Sequence, residues 1–196
     1  MNLPNKITFS RIILTIIIII ALLFPFDAVG ISLPSLFINE SIVVEVKYLI
    51  VGILFMIAAI SDVIDGKLAR KYDLETNVGK VMDDIADKLL VDLTLIVLST
   101  CGFISSTIAI VIIATDIINY ALKLGSNGNE IKCNNIVKKI KNLFINFGIV
   151  LTLFYNLPFE LINFKVSDVM LMIASVLCIV ITLQYYETSK KYIKMQ

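Results

Sequence analysis

Residues 42–103 read IVVEVKYLIVGILFMIAAISDVIDGKLARKYDLETNVGKVMDDIADKLLVDLTLIVLSTCGF. Two apolar runs, about 42–62 and 82–103, flank a charged junction. Each run is near the roughly 20 mostly apolar residues that a helix needs to cross a bilayer. Acid stands at both ends of the junction, with Asp62 and Asp65 closing the first run and Asp83, Asp84 and Asp87 opening the second. Asp62 and Asp65 are three residues apart and Asp83 and Asp87 four apart, so each pair shares one face of its helix.

Outward from this stretch the same alternation of apolar run and short polar link continues. Further runs fall at about 7–26, 105–123, 136–157 and 167–187. With 58% apolar and 17% charged residues and a mean hydropathy of +0.92, the chain lies outside the range of an ordinary water-soluble domain. The expected fold is therefore all-α: a single domain over residues 1–196, an integral membrane bundle of six transmembrane helices. In the first run Lys6 and Arg11 precede the apolar stretch Ile12 to Phe24, as in a signal peptide, but no small-residue cleavage site follows. It reads as a retained span, and the stretch from Phe24 through Pro34 as a turn and loop.

Basic residues set the orientation, because cytoplasmic flanks hold the excess of Lys and Arg. With both termini cytoplasmic, 15 of the 17 lie on or near the inner side, and only Lys47 and Lys165 lie outside. The expected location is the cell membrane, multi-pass, with the acidic junction at the cytoplasmic face.

The chain has no histidine, which removes the commonest general base and transition-metal ligand. Cys101, Cys133 and Cys178 are singly placed, so neither a zinc site nor a disulfide framework is expected. Acid-base and metal chemistry must therefore fall to carboxylates. No nucleic-acid partner is expected.

Ionised carboxylates in or beside a bilayer carry a cost of about 2.5–3.5 kcal/mol each at a helix centre, less at the interface. If the four phased aspartates meet, their repulsion needs a neutralising cation, and an all-oxygen donor set suits Mg²⁺ or Mn²⁺. The plainer alternative is pairing with Lys67, Lys71, Lys80 and Lys88. Between the acidic pairs stand Gly66, Ala69, Arg70 and Gly79. Small residues let a ligand or a neighbouring helix approach the backbone, and a planar guanidinium suits bidentate phosphate binding. Helix packing and topological anchoring are the ordinary roles of such residues.

The stretch from Asp62-Val-Ile-Asp65-Gly66-Lys-Leu-Ala69-Arg70 to Gly79-Lys-Val-Met-Asp83-Asp-Ile-Ala-Asp87 resembles the signature of the CDP-alcohol phosphatidyltransferases, DxxDGxxARx8GxxxDxxxD, at all eight fixed positions. The resemblance implies that Asp62, Asp65, Asp83 and Asp87 hold metal, two ions of Mg²⁺ or Mn²⁺, with Asp87 as general base. It implies that Asp62, Gly66, Ala69, Arg70 and Gly79 receive the cytidine diphosphate part of CDP-diacylglycerol. The implied reaction is attack by an acceptor hydroxyl on the donor phosphorus that carries the lipid, with CMP leaving. A homodimer is implied as well.

Within the family, Leu3-Pro4-Asn5-Lys6-Ile7-Thr8-Phe9-Ser10-Arg11 and Ala86-Asp87-Lys88-Leu89-Leu90 are most similar to the branch whose acceptor is glycerol 3-phosphate. Lys139-Ile140-Lys141 is similar to a basic segment of that branch, which makes Lys123, Lys139 and Lys141 candidates for binding the acceptor phosphate. Ordinary positive-inside bias accounts for these lysines equally well.

The sequence departs from that branch at Asp84, where Pro is usual, and at Thr115-Asp116, where an Arg-Glu pair is usual. The lost Arg leaves Asp116 to pair with Lys123, Lys139 or Lys141, or to orient an uncharged alcohol. The acceptor is thus a small alcohol or alcohol phosphate, glycerol 3-phosphate first. Two rival readings use the same acids. Asp83-Asp84-Ile85-Ala86-Asp87 is a DDxxD diphosphate motif of the kind a membrane prenyltransferase uses, and a cation transporter would draw on the same carboxylates.

Overall fold

The computed structural model describes residues 3–26, 29–31, 33–38, 42–71, 77–125, 135–162 and 164–193. Among them are six α-helices: α1 (Leu3–Leu23), α2 (Val46–Lys71), α3 (Asn77–Thr100), α4 (Ser106–Gly125), α5 (Asn135–Leu153) and α6 (Val166–Ile193). In α2, side chains are described as far as Ser61. The four prolines respect this division. Pro4 falls in the first turn of α1, where a missing N–H breaks no helix bond, and Pro25, Pro34 and Pro158 lie between helices.

At one boundary the type of element differs from the sequence reading. The second apolar run begins as a strand: β2 (Ile42–Glu45) pairs antiparallel with β1 (Ser35–Ile38), Ser35 opposite Glu45 and Ile38 opposite Ile42, and α2 starts only at Val46. The β-branched run Ile42-Val43-Val44 favours the pleated conformation over the first helical turn. The otherwise all-α fold thus carries a small hairpin between α1 and α2.

Two corners fix how the helices turn back. After α3, Gly102 adopts φ +79°, and the amide of Phe103 returns to the carbonyl of Leu98 at 3.0 Å while that of Gly102 returns to Ser99 at 3.1 Å. This closes the helix in a Schellman turn and allows α4 to start within a few residues. After α5, buried Asn156 donates to the Phe164 carbonyl at 2.7 Å and accepts from the Ser167 amide at 3.1 Å. A single side chain thereby closes the corner and satisfies an amide in the first turn of α6, which no preceding turn can do.

Helix α1 packs along both α2 and α3, α6 packs along α4 and α5, and α3 also meets α4 and α5. The shared core includes Ile18, Phe55, Leu95, Ile112, Ile149 and Leu171, one from each helix in turn and all fully buried. Gly148 allows the tight α5–α6 contact, since a Cβ there would stand 2.7 Å from Cγ and Cδ2 of Leu171.

Outer faces are apolar as well. Ile16 and Ile20 of α1, Ile53 and Ile60 of α2, and Met172 and Leu183 of α6 are all exposed. Among the described residues, Ser106–Lys123 and Val166–Lys190 are long and apolar enough to cross a membrane, and the apolar parts of α1 and α2, Thr8–Leu23 and Val46–Ser61, are shorter.

Candidate active site

Helix α3 carries its acids on two faces. Asp83 and Asp87, one turn apart, meet at a single nitrogen: Nη1 of Arg11 on α1 donates to Oδ1 of Asp83 at 3.0 Å and to Oδ1 of Asp87 at 2.9 Å. The Arg11 side chain is 1% exposed, against 35% for Asp83 and 39% for Asp87, so a buried cation reaches out to two accessible carboxylates. Burial of a permanent charge demands such partners. Gly79 lies in the first turn of α3, one turn before Asp83.

Asp62, Asp65, Gly66, Ala69 and Arg70 all lie on the last turns of α2, which runs unbroken to Lys71. The helical spacing expected of Asp62 and Asp65 is therefore present in the backbone, and their side chains lie outside the described residues. Among the described residues two carboxylates converge, and no group of three acidic or cysteine side chains does.

The second face of α3 turns to α4. Asp84 pairs with Lys123 at 2.6 Å in an exposed contact. One turn on, Lys88 donates to the Asp116 carbonyl at 3.3 Å and lies 4.8 Å from the centre of the Tyr120 ring. Lys88 is thus directed at α4, whereas the pairing alternative assigned it to the acidic junction. Asp116 takes Lys141 of α5 as its partner, at 2.9 Å, which is one of the pairings its position predicts. Of the lysines suggested for the acceptor, Lys123 and Lys141 are therefore each engaged by an aspartate, and Lys139 is exposed on α5.

Sequence reasoning missed two features here. Arg11 stands in the sequence as an ordinary flanking charge before an apolar run, and only the packing of α1 shows it to be buried. Asp92 was not singled out, yet it continues the Asp84, Lys88 series at four-residue spacing, and its Oδ1 is buried with no hydrogen-bond partner among the described residues.

A family model for CDP-alcohol phosphatidyltransferases matches residues 1–182. The chain belongs to the CDP-alcohol phosphatidyltransferase family. It is 38% identical over 194 residues to a CDP-diacylglycerol–glycerol-3-phosphate 3-phosphatidyltransferase of Bacillus subtilis (strain 168), covering 98% of this chain and 97% of that one. A protein of the same name from Rickettsia felis is 29% identical over 194 residues, covering 97% of each chain. One from Rickettsia prowazekii is 30% identical over the same length. Membership in the CDP-alcohol phosphatidyltransferases decides against the prenyltransferase and transporter readings. The geometry agrees on the first, since Asp84 is held by Lys123 and points away from the nitrogen where Asp83 and Asp87 meet.

Proposed function

We propose that this protein transfers a phosphatidyl group from CDP-diacylglycerol to glycerol 3-phosphate, forming phosphatidylglycerophosphate and CMP in phospholipid synthesis. The observation that carries the reading is the meeting of two signature carboxylates, Asp83 and Asp87, at one point of a chain aligned over nearly its whole length with transferases of that name.

The donor set fits a hard divalent cation. Asp83 and Asp87 offer only oxygen, and their Oδ1 atoms lie close enough to share a single cationic nitrogen. With Asp62 and Asp65 from α2, they would hold two Mg²⁺ or Mn²⁺ ions. Bound there, such ions would supply charge neutralisation at the diphosphate during an in-line displacement. Asp87 takes the proton of the attacking hydroxyl as general base, and the new oxygen–phosphorus bond forms as the bond to CMP breaks. Gly66, Ala69 and Gly79 make room for the cytidine diphosphate, and Arg70 binds its phosphate oxygens. Lys139 is the first candidate for the acceptor phosphate. Lys123 and Lys141 are each already paired, with Asp84 and Asp116.

The apolar outer faces support a bilayer setting, because contiguous exposed apolar surface on this scale is not stable in water. In this reading all six helices span the cell membrane, both termini and the aspartates face the cytoplasm, and the enzyme works as a homodimer. The lipid donor then enters from the bilayer and the acceptor from the cytoplasm.

Purified protein incubated with CDP-diacylglycerol, Mg²⁺ and radiolabelled glycerol 3-phosphate tests the proposal. The expected product is a labelled lipid formed in step with CMP. Transfer to serine, inositol phosphate or phosphatidylglycerol in its place would reassign the acceptor, and no CMP release with any of them would overturn the reaction.

A further inference from the structure

We propose that Arg11 is a positioning residue for the metal site. Its guanidinium holds the Asp83 and Asp87 carboxylates in the paired arrangement that receives divalent cations, and the inference rests on the metal reading above. Arg11 lies outside the eight-position signature, on a different helix from the acids it binds, 72 and 76 residues away in the chain. Three observations carry the argument.

The first is geometry. One nitrogen, Nη1, takes Oδ1 of both carboxylates at 3.0 and 2.9 Å. Two carboxylates one turn apart on a helix repel and would otherwise rotate apart. A carboxylate has two oxygens and several lone-pair sites, so an Nη1 bond to Oδ1 does not exhaust its capacity to ligate.

The second is burial. The Arg11 side chain is 1% exposed and the two aspartates are more than a third exposed, so the guanidinium stands behind the ligands rather than in the solvent path to them. An arginine cannot lose its proton in a protein, so the cationic grip is permanent.

The third is placement. Arg11 sits on α1, the helix that packs along both α2 and α3, which carry the four signature aspartates. Its backbone is held in turn, since Thr15 donates its buried hydroxyl to the Arg11 carbonyl at 2.9 Å. Outer partners of this kind orient metal ligands, and their loss weakens metal affinity by about 10–100-fold.

The sign of the effect separates this role from two simpler ones. If Arg11 were only a competing cation, its removal would tighten divalent binding. If it were only a packing residue, its removal would lower stability and leave the affinity of the folded protein unchanged.

The test is Mn²⁺ binding to the purified full-length protein without substrate, read by electron paramagnetic resonance, with the thermal midpoint followed by circular dichroism. An Asp83→Asn, Asp87→Asn double variant identifies the signal from this site. Arg11→Gln is expected to bind Mn²⁺ about 10–100-fold more weakly than the parent. Arg11→Lys, which keeps a charge able to bridge two oxygens, is expected to fall between them. Equal or tighter binding by Arg11→Gln overturns the proposal, and so does Arg11→Lys binding no better than Arg11→Gln. If Arg11→Gln does not fold, Arg11→Lys decides: several-fold weaker binding supports the positioning role and unchanged binding overturns it. Absence of Mn²⁺ binding by the parent protein removes the metal reading and this inference with it, a result distinct from the failure of Arg11 alone.

Discussion

Nζ of Lys141 stands 2.9 Å from Oδ1 of Asp116, and both side chains are 12% exposed. This contact joins α5 to α4 through charges that are mostly withdrawn from solvent. Removing one partner leaves the other buried and uncompensated, so Asp116→Ala is expected to destabilise the protein by about 3–5 kcal/mol. Replacing both together with apolar residues, Asp116→Leu and Lys141→Met, is expected to cost less than either single change. Thermal unfolding of the detergent-solubilised variants measures this, and additive losses would show that the two side chains act separately.

The pair between Asp84 and Lys123 is 2.6 Å long but more than half exposed on both sides. Exposed pairs contribute about 0–1 kcal/mol and are screened by salt. Asp84→Asn is therefore expected to leave the thermal midpoint nearly unchanged and to retain most of the phosphatidyl transfer. A collapse of activity in this variant would place Asp84 in the catalytic machinery and revive a role for the full DDxxD stretch.

Asp87→Asn is expected to lower CMP release by at least about 100-fold, the low end of what a positioned acid or base contributes, and Asp83→Asn to lower it through loss of a metal ligand. Each exchange keeps the size of the side chain and one oxygen, so the protein is expected to remain folded. Chelation of divalent ions should silence the parent enzyme reversibly, with recovery on adding Mg²⁺ or Mn²⁺. Activity that persists in a chelator at full rate would remove the metal from the reaction.

Gly148→Val tests the α5–α6 contact. A Cβ at this position would meet Leu171 at 2.7 Å, and Leu171 is fully buried, so neither helix can yield without disturbing the core. Overpacking of this kind costs about 1–3 kcal/mol. The thermal midpoint should fall, and Gly148→Val combined with Leu171→Ala should recover part of the loss. No recovery would mean that the backbone, and not the Leu171 side chain, limits the approach.

The six apolar helices and the phase of their acids follow from local pattern, because a span of about 20 apolar residues and a repeat of 3.6 residues per turn are local properties. Asp83 and Asp87 shared a face as their four-residue spacing requires, and Asp116 found one of the lysines it was expected to need. The signature was readable for the same reason, since all of it lies within one short stretch of chain. Tertiary structure alone decided which partner each charge takes. Arg11 reaches Asp83 and Asp87 across more than seventy residues, Lys88 turns to α4, and Ile42–Glu45 enters a hairpin instead of the first turn of α2. Each of these outcomes depends on which helices or strands lie side by side, and that is set by packing between distant segments, which no local repeat encodes.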